Sequence, residues 1–226
     1  MNSTAAPWTN TRRRPMSEPI RPPIPATCES RPTNAGVVVP WANVQLADGG
    51  VDFRSQHESK VQLCWLECRC QICGNPIPRP IVFLGGPRQL AALQFDEPPL
   101  HPECAVYASQ ACPMVAGRMS RYATREVVSN GHRGSVCVDP NCNCGGWIPT
   151  PGLEPPAPGG DAAHDWYAVY VSDYSLGITQ ERSDRVHSAV IMPEQVLAVR
   201  HISSPGAGRT WKRIPLDQVR NQEATT

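Results

Sequence analysis

Cys70-Gln71-Ile72-Cys73-Gly74, followed by His101-Pro102-Glu103-Cys104, decides how this chain is read. Each motif places two residues between two potential ligands, and the motifs lie about as far apart as the halves of one structural zinc site. A tetrahedral Zn²⁺ takes four N or S donors, and C-x2-C or H-x2-C can wrap one ion from a tight turn or a first helical turn. Gly74 permits the tight turn of a knuckle. Cys104 opens the stretch Ala105-Val106-Tyr107-Ala108-Ser109-Gln110-Ala111, a good helix sequence, and the dipole at a helix N-terminus favours negative thiolates. Cys70, Cys73, His101 and Cys104 are therefore the expected metal ligands, and Zn²⁺ the expected cofactor, in a structural role.

Other assignments of the cysteines stay open. Cys68 can replace Cys70 as a ligand. An iron–sulfur cluster on Cys64, Cys68, Cys70 and Cys73 would need the spacing C-x3-C-x-C-x2-C, which matches none of the usual cluster runs and leaves His101 unused. Free cysteine is also among the most buried residue types, and Cys64 and Cys112 read as core residues. Cys137, Cys142 and Cys144, with His132 or His164, form either a second metal site or a set of turn cysteines or a redox pair.

Working outward, 226 residues allow one large domain or two small ones with tails. Hydrophobic content of 40% with only 6% aromatics makes for a lean core. The 25 prolines are roughly twice the usual share of about 5% and imply long stretches without regular structure. A formal net charge of +1 gives no global field toward nucleic acid or anionic membrane, so a nucleic-acid role needs a local patch. The most apolar stretch, 37–46, is far shorter than the ~18–20 residues of a membrane span. The N-terminus has no apolar segment of a secretory signal. The expected location is the cytoplasm, where thiols stay reduced and ten cysteines favour metal over disulfides.

The chain divides into a disordered Pro/Arg-rich arm (1–33), a zinc-binding α+β domain (34–148), a Pro/Gly linker (149–163) and a small β-rich C-terminal segment (164–226). That last segment is either a module of its own or a hairpin that returns to pack on the zinc region. Valine-rich 36–46 reads as a strand that Pro40 places at an edge or bulge. Residues 55–67 read as a helix with Val61, Cys64, Trp65 and His57 on one face. Residues 80–84 read as a strand, 88–93 as a helical turn, and 166–171 and 195–202 as strands. Tyr167, Val169 and Val171 fall on one face of theirs, and Trp166, Ala168 and Tyr170 on the other.

Evidence for catalysis is thin. Four protein ligands leave no open position on the metal, and Glu103, between two of them, reads as a solvated carboxylate. His164 and Asp165 are adjacent on an extended segment, which points them to opposite faces. No serine elbow, phosphate loop or dinucleotide fingerprint is present. Arg118, Arg121 and Arg125 would align on one face of a continuing helix, as a phosphate-contacting stripe or as an ordinary solvated face.

The order of knuckle, short strand, loop and two ligands on a first helical turn resembles a treble-clef zinc finger. That resemblance also admits a metal-dependent nuclease or hydrolase of the His-Asn-His-like class, although residues 76–99 contain no histidine to serve as its base. The segment 64–118, with Cys-Gln-Ile-Cys-Gly, Pro-Pro-Leu-His-Pro-Glu-Cys-Ala and Ala-Cys-Pro-Met-Val-Ala-Gly-Arg-Met, resembles a group of uncharacterised actinobacterial, Streptomyces-type Cys-rich proteins. The opening Ile20-Arg21-Pro22-Pro23-Ile24-Pro25 and the turn Cys144-Gly145-Gly146-Trp147 fit the same group. Its members often carry the label "cell envelope biogenesis protein OmpA". That label implies nothing transferable here, since the chain shows neither a signal sequence nor a peptidoglycan-binding domain of that type. The expectation is an α+β, zinc-stabilised, treble-clef-like core in a non-catalytic module that binds a protein partner or nucleic acid, with the hydrolase as the alternative.

Overall fold

Residues 21–45, 51–122, 160, 162–178 and 186–218 are described by the computed structural model. Antiparallel pairing organises all of its strands. In chain order these residues form β1 (Thr33–Asn34), β2 (Val37–Val38), β3 (Asn43–Gln45), β4 (Val51–Gln56), α1 (Glu58–Leu66), β5 (Ile81–Gly85), α2 (Pro87–Ala92), β6 (Gln94–Phe95) and α3 (Pro102–Ala111). After the undescribed stretch come β7 (Trp166–Val171), β8 (Ser175–Ile178), β9 (Val186–Val190), β10 (Val196–Ser204) and β11 (Gly208–Ile214). The α+β expectation holds.

The centre is a four-stranded sheet in the order β11-β10-β7-β5. β7 lies between β5 and β10, with Phe83 opposite Val169 and Val199 opposite Val169 on its other side. The zinc-motif segment and the C-terminal strands thus share one sheet. All five residues of β5 are buried, because both faces of the sheet are covered. A three-stranded sheet, β6-β9-β8, and two small pairs, β1-β2 and β3-β4, complete the strands.

The period-2 alternation of β5 and β7 splits the interior in two. One face carries Ile81, Phe83, Tyr167, Val169 and Val171 against Val61 and Trp65 of α1 and Phe95, Ala189 and Ile191. Phe83 is its hub: its ring stacks on Trp65 at 6.1 Å and on Phe95 at 5.7 Å and meets Tyr174 edge-on at 5.3 Å. The opposite face carries Val82, Leu84, Ala168 and Ile202 against Ile72, Leu100 and the α3 residues Ala105, Tyr107 and Ala108. The cysteine cluster sits in this second layer.

Local chemistry sets the element ends. Pro87 and Pro102 occupy first-turn positions, where a missing N–H costs nothing. α1 buries Val61, Cys64 and Trp65 at helical spacing, as the sequence predicts, and Cys68 beyond it takes a left-handed conformation, φ 50°. The strand expected over 36–46 is instead two short pieces, with Leu46 outside the described residues. Pro40 offers no N–H to a ladder, and the next two amides bond elsewhere: Trp41 N–H to Ile72 O at 2.9 Å and Ala42 N–H to Gln71 O at 3.0 Å. Of the expected N-terminal arm, residues 1–20 lie outside the described residues. Within 21–33, Ala26–Cys28 forms a 3-10 turn with Cys28 fully buried. No helix among the described residues is long and apolar enough to cross a membrane.

Candidate metal centre

Cys70 and Cys73 lie in the turn between α1 and β5. Cys70 N–H donates to Asn75 O at 2.9 Å and Gly74 N–H to Cys70 O at 2.8 Å, while Arg69 and Pro76 bridge across the base. Gly74 has φ +84°, and a Cβ there would lie 2.7 Å from the Trp41 indole that roofs the turn. Only glycine combines that backbone with that approach.

His101 is the residue just before α3 and Cys104 lies in its first turn. Their approach is fixed by four bonds to flanking segments. Leu100 exchanges backbone bonds with Val82 at 2.9 and 3.0 Å. Gln71 straps the knuckle to the same segment, through its N–H to Pro99 O at 3.1 Å and its side-chain amide to Pro98 O at 2.8 Å.

The result is convergence. One donor atom from each of Cys70, Cys73, His101 and Cys104 lies within 4.8 Å of all the others, and all four residues are buried. His101 Nε2 is 3.0 Å from Pro76 O, a carbonyl that only accepts, so Nε2 carries the hydrogen. Nδ1 then faces the sulfurs, 3.3 Å from Cys73 Sγ. A carbonyl that holds the far ring nitrogen in this way is the usual companion of a metal-binding histidine.

The charges are mutually distorted. The Cys70 and Cys73 sulfurs raise His101 to about 10 against the effect of burial. Cys73 is held well below the usual thiol range by its contacts with Cys104, Cys28 and Cys70. Cys104 is pushed up by Cys28, Cys70, Cys73 and burial. Such a cluster packs four groups whose charged forms perturb one another, and a divalent cation at their centre would favour the thiolates and the neutral imidazole together. Three soft sulfurs and one imidazole, all within 4.8 Å of one another, match the donor chemistry of zinc. When bound, zinc would supply cross-linking rather than a reactive water, because all four positions come from the protein.

The remaining sequence candidates go elsewhere. Cys64 is buried in the aromatic layer, where burial raises its thiol. Cys68 packs beside Tyr174, and Cys112 is half-buried at the end of α3. Glu103 is exposed. His132, Cys137, Cys142, Cys144 and Arg125 lie outside the described residues. Among the described residues no helix continues to align the arginines, because α3 ends at Ala111: Arg118 caps it by donating to Gln110 O and Ala111 O, and Arg121 donates to Gly160 O.

His164 packs edge-on against Tyr122 and tilted against Trp166, while the Asp165 carboxylate accepts from His201 Nε2 at 3.0 Å. His201 Nδ1 is 2.8 Å from Thr210 Oγ1, which gives Asp165, His201 and Thr210 the connectivity of a nucleophile relay. The Thr210 hydroxyl, however, lies 3.2 Å from the carbonyls of His201 and Ile202 and donates into the strand, so the group reads as a cross-strand tie.

Sequence spacing gives no hint of Cys28. Its sulfur lies 3.8 Å from Cys104 Sγ, brought there by the N-terminal turn. Comparison with protein-family models, with curated proteins and with solved structures finds no match for this chain in any of the three.

Proposed function

We propose that the protein is a non-catalytic binding module whose sheet is stapled by a structural zinc ion on Cys70, Cys73, His101 and Cys104. The observation that carries this reading is the buried convergence of four protein donors around one point. The order of knuckle, antiparallel Val82–Leu100 bridge and helix beginning at the second ligand pair supports a treble-clef-like arrangement. The described cysteines are all free thiols, which favours a reducing, cytoplasmic setting.

Function then belongs to the surface, and the β10–β11 hairpin favours nucleic acid over a protein partner. From Val196 to Ile214 there is no carboxylate, but there are Arg200, Arg209, Lys212 and Arg213. Arg200 and Arg213 are directly opposed across the strands, a like-charge pairing that costs stability unless an anion bridges it. The Arg200 guanidinium lies over Trp211 at 5.8 Å and Tyr170 at 6.0 Å, and Arg209 lies over Trp211 at 4.8 Å. Cations interleaved with aromatic faces form the platform on which single-stranded bases stack beside neutralised phosphates.

The test has two readouts. Purified protein should carry one zinc per chain and Cys73→Ser should lose it; a zinc-free wild type would end the metal reading. Binding of a single-stranded oligonucleotide should weaken with salt, and the Arg200→Ala/Arg213→Ala variant should lower the log–log salt slope by about one to two. Absence of any salt-dependent affinity would leave the module to a protein partner.

A further inference from the structure

A further sulfur, that of Cys28, lies beside this four-donor centre. Resting on the zinc reading above, we propose that Cys28 is a reserve ligand that competes with His101 for the fourth position beside Cys70, Cys73 and Cys104. Two sulfurs held by one tetrahedral zinc at about 2.3 Å each stand roughly 3.8 Å apart. Cys28 Sγ and Cys104 Sγ are 3.8 Å apart, the separation of co-ligands.

The two candidate donors approach from different sides. Cys28 interacts with Cys104 and Cys73, whereas His101 interacts with Cys70 and Cys73. A cysteine present only for packing would set its sulfur against carbon. Cys28, with no exposed surface, instead faces two sulfurs and the Thr27 hydroxyl, which is itself 3.5 Å from Cys104 Sγ.

The segment carrying Cys28 is built to hold it there. Cys28 N–H donates to Pro25 O at 2.8 Å and Cys28 O accepts from Arg31 N–H at 2.9 Å. The Arg31 side chain donates to Val39 O, and Val38 N–H donates to the Tyr107 hydroxyl on α3 at 2.8 Å. The Arg31 guanidinium also lies within electrostatic reach of Cys28 and Cys73, so an additional thiolate has a nearby cation.

The exchange balances. The metal–Nδ1 bond breaks and a metal–Sγ bond forms; Cys28 gives up its thiol proton and the freed Nδ1 takes one, leaving the net charge unchanged. Such a centre ties the N-terminal turn to the knuckle and α3 through the ion itself.

Cobalt substituted for zinc in the full chain tests this, because thiolate-to-cobalt absorption counts bound sulfurs. His101→Ala should keep one cobalt, with the absorption rising from a three-thiolate to a four-thiolate level. His101→Ala/Cys28→Ser should lose stoichiometric metal. Cys28→Ser alone, which keeps the four first-described ligands, should surrender zinc to a chelator several-fold faster than wild type. The proposal is overturned if His101→Ala loses metal as completely as the double variant, or if Cys28→Ser releases zinc at the wild-type rate. A wild type that binds neither metal would overturn the zinc reading together with this one, and so is distinguishable from both results.

Discussion

Gly74 shows how narrowly a single position is set. Its φ of +84° lies where a Cβ is strained, and the Trp41 ring occupies the space a methyl would need. The indole is itself held, with Lys60 Nζ 5.7 Å above it and its backbone N–H bonded to Ile72 O, so it has little freedom to withdraw. Gly74→Ala should therefore cost about 1–3 kcal/mol, combining left-handed backbone strain with the clash. Chemical denaturation of the metal-loaded protein reads this directly, and an unchanged midpoint would mean that the turn is softer than its geometry implies. The same residue was legible in the sequence, because C-x2-C-G carries its own turn chemistry. Cys28 was not: its relation to Cys104 exists only once the N-terminal turn has folded onto α3, and no local spacing encodes it.

At the scale of elements, legibility followed burial pattern and length. α1, β5, α3, β7 and β10 each present several apolar residues at one period, and each lies where the sequence places it. β8 and β9 are not legible in the sequence. β8 is four residues with mostly exposed side chains and a central glycine, and Gly177 packs so closely on Ser188 that a Cβ would lie 2.1 Å from its hydroxyl. Such strands are specified by their neighbours rather than by their own composition. The join between the β1–β2 pair and α3 depends similarly on one tertiary bond, Val38 N–H to Tyr107 Oη at 2.8 Å. Val38 is buried, so Tyr107→Phe leaves its N–H without a partner and should destabilise by about 1–3 kcal/mol. Exchange of the Val38 amide should accelerate in step with that loss; an amide as protected as in wild type would show that the bond does not hold the segment.

For the molecule as a whole, the sheet separates two layers stabilised by different means. The layer around Phe83 is filled by Trp65, Phe95 and Tyr167, each able to contribute roughly 1.5–3 kcal/mol by burial. The other layer holds Cys28, Cys70, Cys73 and Cys104 among aliphatics, with Tyr107 its one buried aromatic among the described residues. With so few aromatics in the chain, a metal held by the second layer would substitute a cross-link for bulk. Because the raised His101 and the raised Cys104 thiol must lose protons when an ion binds, such a cross-link would strengthen as pH rises and weaken in acid. Removing the metal should thus loosen one layer before the other. Hydrogen exchange after chelation at neutral pH should quicken at the amides of Cys70, Gln71, Gly74 and the first half of α3. The β7–β10 ladder, anchored from the Phe83 side, should keep most of its protection. Equal loss across both faces would show that the ion stabilises the fold globally, and no loss at the knuckle would remove the staple from the account altogether.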